Sequence, residues 1–296
     1  MTSDVAQVGA RWLDAHSGGT ALPLLALFPT AAAAIEQRFG PYTMTVAMDA
    51  PIAPSAEGLR PVALISHGNT GSPLTHRGTA LALAQAGFVV LLPEHVGNSR
   101  SDASLTGTVE LLRVRPQQLC DAVAALHQDA LLSPHVSRTR HVLIGHAIGA
   151  YTVLAAAGGQ PVNTPYDSPD NPPAQLDVAK LDGVGGLVLL APAAGWFMPP
   201  ARLDGVTAPV LLFRGEEDRV TPSFHAEILR GGLAATQLQE IPVANAGHFS
   251  FQSPFPAQMV VPGFAPAIDP PGFDRVAFHP QLNEQIVRFA LACCRG

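Results

Sequence analysis

From residue 60 onward the chain alternates short apolar runs with stretches of helical periodicity. Val62–Ser66, Phe88–Leu92, His141–Ile144, Leu187–Ala191, Val210–Arg214 and Leu238–Ile241 are rich in Val, Ile and Leu at successive positions. Runs of this kind predict strands buried on both faces. Between them Leu74–Ala86, Pro116–Ala130, Ile148–Ala157, Pro222–Gly231 and Pro280–Ala292 repeat apolar residues at helical spacing, several opening on Pro or closing near Gly. The alternation predicts parallel strands joined by helical crossovers on both faces of one sheet. Before residue 60 the pattern is less regular: of Val8–Ala15, Leu22–Phe28 and Tyr42–Met48, the last two read as antiparallel strands at one edge.

Three stretches break the alternation, Gly97–Arg115, Gly159–Leu181 and Ser253–Phe273, the last two dense in proline. Long irregular segments inside a compact domain are usually functional loops, so these are expected to leave the sheet and roof a pocket. None is long enough to be a domain, and no repeat of roughly 20–50 residues is visible, which excludes solenoids and propellers. Residues 1–296 read as a single α/β domain.

Composition narrows the partners. Of 296 residues 47% are hydrophobic and 14% charged, the net charge is −6, and Lys180 is the single lysine. No basic field is present to neutralise a phosphate backbone, so nucleic acid is not an expected partner. The longest apolar runs, Leu187–Ala194 and Leu22–Phe28, fall far short of the roughly 20 residues that cross a bilayer. Met1–Ala10 lacks a charged-then-apolar leader. A soluble, cytoplasmic protein with no membrane partner is expected, its oligomeric state left open. Cys120, Cys293 and Cys294 form no C-x-x-C pair, and adjacent cysteines rarely close a bridge without strain, so reduced thiols are expected.

The most informative segment is His141-Val142-Leu143-Ile144-Gly145-His146-Ala147-Ile148-Gly149, a strand running through two glycines into a helix. It has the frame G-x-S-x-G, in which small residues flank a strained turn that lifts one nucleophilic side chain above the sheet. Here that side chain is Ala147, and a methyl group cannot attack a carbonyl. The other parts of such a site follow in order. Gly215-Glu216-Glu217-Asp218, after the Val210–Arg214 strand, offers Asp218 as the acid, with Glu216 and Glu217 as alternatives. Gly247-His248-Phe249, after the Leu238–Ile241 strand, offers His248 as the base. One ring nitrogen would take the nucleophile's proton while the other donates to the carboxylate, which sets tautomer and orientation. Ser66-His67-Gly68-Asn69-Thr70-Gly71 breaks from a strand into a glycine loop, so the N–H groups of Asn69 and Ile148 are the expected oxyanion donors. The glycine loop lacks the lysine of a phosphate-binding loop, and no G-x-G-x-x-G follows a strand. Ser66, Ser99, Ser101, Ser104 and Ser250 do not lie on a strand-to-helix elbow and are not expected to act as nucleophiles.

With these loops assembled the sequence resembles the α/β-hydrolases, and more narrowly the esterases similar to platelet-activating-factor acetylhydrolase and dienelactone hydrolase. The resemblance spans roughly Ala21 to Phe289 and includes Leu27-Phe28-Pro29-Thr30, Pro93-Glu94-His95 and Leu189-Leu190-Ala191-Pro192. It implies an α/β-hydrolase fold and a nucleophilic serine where this chain has Ala147. Either a serine has been replaced by design, or the protein is a natural pseudoenzyme that binds a ligand without turnover. A lineage freed from catalysis has no physical reason to keep acid, base and oxyanion loop together, so replacement is the expectation. His67, Thr70, His146, Trp196 and Phe249 are expected at the substrate, Phe197, Met198, Phe251, Phe255 and Phe264 could help line an apolar pocket, and Glu94 and His95 are expected in supporting hydrogen bonds. The expected substrate is a small, mostly neutral carboxylic ester, with no metal or organic cofactor called for.

Overall fold

Alternating apolar positions become the two faces of one sheet. The computed structural model describes residues 6–198 and 202–294; residues 1–5 of the segment read for a leader lie outside them. The strands are β1 (Gln7–Leu13), β2 (His16–Ser17), β3 (Thr20–Ala21), β4 (Leu24–Thr30), β5 (Ile35–Phe39), β6 (Tyr42–Met48), β7 (Arg60–Ser66), β8 (Val89–Pro93), β9 (Val136–His146), β10 (Val184–Leu190), β11 (Val210–Gly215) and β12 (Leu238–Val243). Ten of them form one sheet in the order β12-β11-β10-β9-β7-β8-β4-β1-β6-β5, with β2 and β3 as a separate hairpin. From β8 through β7, β9, β10 and β11 to β12 every pairing is parallel. The N-terminal strands fill the other end with the antiparallel pairs β4–β8, β1–β4 and β5–β6.

The period of two along each central strand sorts its side chains between two cores. Leu64, Leu143, Leu187 and Leu189 face the layer of α2 (Val109–Gln128), α3 (Ile148–Ala156) and α4 (Phe224–Gly232). Ala63, Ile65, Val142, Ile144 and Val188 face α1 (Arg77–Gln85) and α5 (Arg275–Cys293). Each such buried Leu or Ile contributes about 1.5–3 kcal/mol by leaving water. All nine residues of α3 are buried, as expected of a helix apolar all round. No described helix is long and apolar enough to cross a membrane.

Two helices begin earlier than their prolines suggested. The sequence pattern places Pro116 and Pro280 as opening residues, yet they lie inside α2 and α5. The true starts are set by side chains: Thr108 accepts from the Leu111 N–H at 3.2 Å and Asp274 from the Ala277 N–H at 3.0 Å. An interior proline leaves the carbonyl four residues back without a helical donor. For Pro116 that is Leu112, and the buried Tyr151 hydroxyl donates to its oxygen at 2.7 Å. For Pro280 it is Val276, which is 70% exposed, so water can serve it.

Candidate active site

β9 ends at His146 and α3 begins at Ile148, so Ala147 makes the turn between them, with φ 53° and ψ −119°. A side chain held at positive φ costs on the order of 1–3 kcal/mol and persists only where the surroundings enforce it. Flanking glycines do the enforcing. A Cβ on Gly145 would stand 2.2 Å from the Gly149 oxygen, and one on Gly149 would stand 2.0 Å from the Ser66 oxygen. Both obstacles are backbone and cannot swing aside. Gly149→Ala is therefore expected to cost at least about 3 kcal/mol of stability, read by urea unfolding; a loss below about 1 kcal/mol would contradict this packing. Gly68 has a related role, since a Cβ there would lie 3.0 Å from His146 Nδ1 and 3.4 Å from the Ala147 methyl.

Asp218 and His248 come together from turns after β11 and β12. His248 Nδ1 donates to Asp218 Oδ2 at 3.0 Å, and the two side chains are 6% and 2% exposed. The carboxylate is held from both sides, Oδ1 accepting from the N–H groups of Val220 and Thr221 at 2.8 Å each and Oδ2 from the Thr221 hydroxyl at 2.7 Å. Burial pushes the Asp218 carboxyl upward, but the bonds from His248 and Thr221 outweigh it and hold it below its ordinary value. A fixed anion on Nδ1 leaves Nε2 with the lone pair, the tautomer a general base needs. Glu216 and Glu217, the alternative acids, are exposed. The sequence does not single out Thr221, although an aspartate that bonds the backbone two residues on, as Asp218 does Val220, is a recognisable turn signal.

The loop after β7 carries Asn69 and Thr70, and no bond from a described residue engages the N–H of Asn69 or of Ile148. Beneath this loop lies Arg115 of α2, fully buried and paired with no carboxylate among the described residues. It donates to Thr152 Oγ1 at 2.8 Å, Asn98 Oδ1 at 2.7 Å, Ser66 Oγ at 3.1 Å and the His67 carbonyl. Asn98 in turn donates to Asn69 Oδ1 at 2.7 Å. One guanidinium thus ties the glycine loop to the elbow helix. Desolvation lowers its pKa to about 9, and its positive charge lies on the side of the loop away from solvent. Sequence alone did not single out Arg115, because its partners are scattered from residue 66 to residue 152.

Several histidines pack behind the site, and here one expectation is corrected. His67 does not face the cleft: it is fully buried, its Nδ1 donating to the Gly68 carbonyl at 2.8 Å and its Nε2 accepting from the His95 N–H at 3.0 Å. His95 bonds Ser66 Oγ and Gln118 Oε1, both at 2.8 Å, the supporting role expected of it. Glu94 accepts from the Ser101 hydroxyl, away from the cleft. His146 donates from Nε2 to the His248 carbonyl at 2.9 Å and so holds the His248 backbone from behind. Burial lowers the pKa of His67 and His146 to about 3, that of His279 to about 4, and pushes His76 and His95 well down. These imidazoles stay neutral in the fold, whereas an unfolded chain protonates them below 6.5. Stability must then fall as pH falls from 6.5 toward 4, by up to about 1.4 kcal/mol per pH unit for each such group. A urea midpoint that stays level across that window would contradict the burial of these rings.

Above the elbow opens a cleft of about 760 Å³. Ala147, Ile148 and His248 form its floor with His146, and Asn69 and Thr70 its rim. Trp196 and Phe249 line it. The excursion after residue 97 contributes Thr106 and Gly107, the one after residue 159 contributes Thr164, Tyr166 and Asp167, and no serine lies on the lining among the described residues. Ser253–Phe273 does not reach the cleft, which corrects the expectation for the third excursion. Its Phe255 and Phe264 pack edge to face at 5.5 Å, with Arg275 stacked on Phe255. Phe197 and Phe251 are core residues, and Met198 is exposed.

No family model matches the sequence. Among curated proteins the chain is 27% identical over 203 residues to a thermostable monoacylglycerol lipase of Bacillus sp. (strain H-257), covering 62% of this chain and 81% of the lipase. Among solved structures it superposes on a ferulic acid esterase from Streptomyces cinnamoneus with a TM-score of 0.67 at 17% identity, over 100% of this chain and 92% of that one. By strand order, by the strained turn from strand to helix and by these likenesses, the chain is an α/β-hydrolase in fold.

Proposed function

We propose that this is the scaffold of a carboxylic ester hydrolase that works through an acyl-enzyme when residue 147 is serine, and that the chain with Ala147 binds esters but barely turns them over. The observation that carries the reading is the buried Asp218–His248 pair, which opens onto the same cleft as the elbow residue Ala147. With serine at 147, His248 Nε2 takes the hydroxyl proton as Oγ attacks the ester carbonyl. The N–H groups of Asn69 and Ile148 receive the oxyanion, and the departing alcohol takes the proton back. Water then repeats the sequence on the acyl-enzyme. The lipase and the esterase named above are both named for ester chemistry, which supports this class. The cleft is of a size suited to small ligands, and no lysine or arginine lines it among the described residues, which favours esters without a strong negative charge.

The test is a panel of short p-nitrophenyl esters offered to the Ala147→Ser variant and to the parent. Strong hydrolysis by the variant alone supports the proposal. No gain, with esters still bound, would favour a pseudoenzyme that holds a ligand without turnover.

A further inference from the structure

We propose that Asp167 makes the cleft selective for esters carrying a hydrogen-bond donor, a hydroxyl or an ammonium, away from the scissile bond, and against esters carrying a carboxylate there. The inference rests on the reading of the cleft as an ester site. Asp167 stands in the excursion after α3, is only 9% exposed, and lines the cleft. Its Oδ2 is fully engaged, accepting from the Thr164 N–H at 3.0 Å, the Thr164 hydroxyl at 2.7 Å and the Trp196 indole N–H at 2.8 Å. Its Oδ1 accepts from no described residue, and it is not among the buried polar atoms left unpartnered, so it stays open to a ligand. No ion pair of the described residues includes Asp167.

The structural task alone occupies one of the two carboxylate oxygens. All three donors, the Thr164 N–H, the Thr164 hydroxyl and the Trp196 indole N–H, converge on Oδ2, and the packing of this excursion makes no use of Oδ1 among the described residues. What the carboxylate adds is a negative charge, fixed in place by three donors, on the wall of a cleft whose lining holds no other carboxylate, lysine or arginine among the described residues. Trp196, which it anchors, is itself braced by the Tyr151 ring at 4.8 Å. The acceptor is therefore preorganised, and a donor reaching it gains a charge-assisted bond without moving the protein. A carboxylate in the same place meets like charge in a partly dry site.

The chain with Ala147 leaves esters intact, so affinity can be read directly by NMR titration. One series carries the variable group on the acyl side: methyl hexanoate, methyl 6-hydroxyhexanoate, methyl 6-aminohexanoate and monomethyl adipate. A second carries the same four end groups on the alcohol side of six-carbon acetates. In one of the two series the ammonium ligand should bind at least about 10-fold tighter than the carboxylate ligand, with the hydroxyl ligand between them. Asp167→Asn should bring that ratio to within about threefold, while Thr164→Val, which removes one bond to Oδ2 but keeps the charge, should preserve it. General loosening of the site would weaken all ligands together and leave the ratio as it was. Binding of methyl hexanoate with no ammonium preference in either series, or a ratio unchanged in Asp167→Asn, overturns the proposal and leaves the ester reading standing. Failure of all the ligands to bind, together with no hydrolysis by Ala147→Ser, overturns both.

Discussion

Ester turnover by the Ala147→Ser variant is expected to exceed that of the parent by roughly 10⁶-fold, the factor that a nucleophile acting as one unit with its base and acid contributes in serine hydrolases. The reason for so large a gain is how little else has to change. Residue 147 already has a Cβ and already bears the strain of φ 53°, so serine adds a single hydroxyl and no new backbone cost. Gly68 leaves the space above it free of side chain. The His248–Asp218 pair stands without it, as do the N–H groups of Asn69 and Ile148, which no described residue engages. Initial rates with p-nitrophenyl butyrate measure the gain directly, and an increase of only a few fold would mean that the base and the elbow are not aligned.

On that serine background Asp218→Asn is expected to lower kcat by about 10⁴-fold with little change in KM. The amide can still accept the N–H groups of Val220 and Thr221 that now hold the carboxylate, so the turn should keep its shape. What is lost is the fixed negative acceptor at Nδ1, and with it the tautomer that leaves Nε2 free to take a proton. Steady-state kinetics separates this from damage to binding, since a damaged cleft would raise KM. Retention of more than about a tenth of the activity would show that another group orients His248.

Much of the architecture was legible because the central strands are buried on both faces and so read as continuous apolar runs, as in Val62–Ser66 and Leu187–Ala191. Misreadings came where a tertiary contact overrode a local signal. Pro116 looks like a helix start and is one only if nothing serves the Leu112 carbonyl; the Tyr151 hydroxyl serves it from another helix. Ile35–Phe39 gives no strand signal in the sequence because only Phe39 of that outer strand is buried, so its composition carries little hydrophobic pattern. The candidate site divides the same way. Ala147, Asp218 and His248 sit in loops whose glycines and flanking strands mark them. His67 lies next to a glycine in one of those loops, yet its ring turns inward to satisfy the backbone of residues 68 and 95. Arg115 carries no local mark, since its partners lie far along the chain, and Asp167 takes its place at the cleft from a bond to the distant Trp196 as well as from the nearby Thr164.

Covalent labelling tests the central claim most directly. Ala147→Ser, treated with a p-nitrophenyl alkyl phosphonate and analysed by peptide mass spectrometry, is expected to carry one adduct, on residue 147, formed rapidly and suppressed when His248→Ala is added. An unlabelled protein, or an adduct on any other serine, would show that the elbow, the imidazole and the carboxylate do not act on one reacting atom.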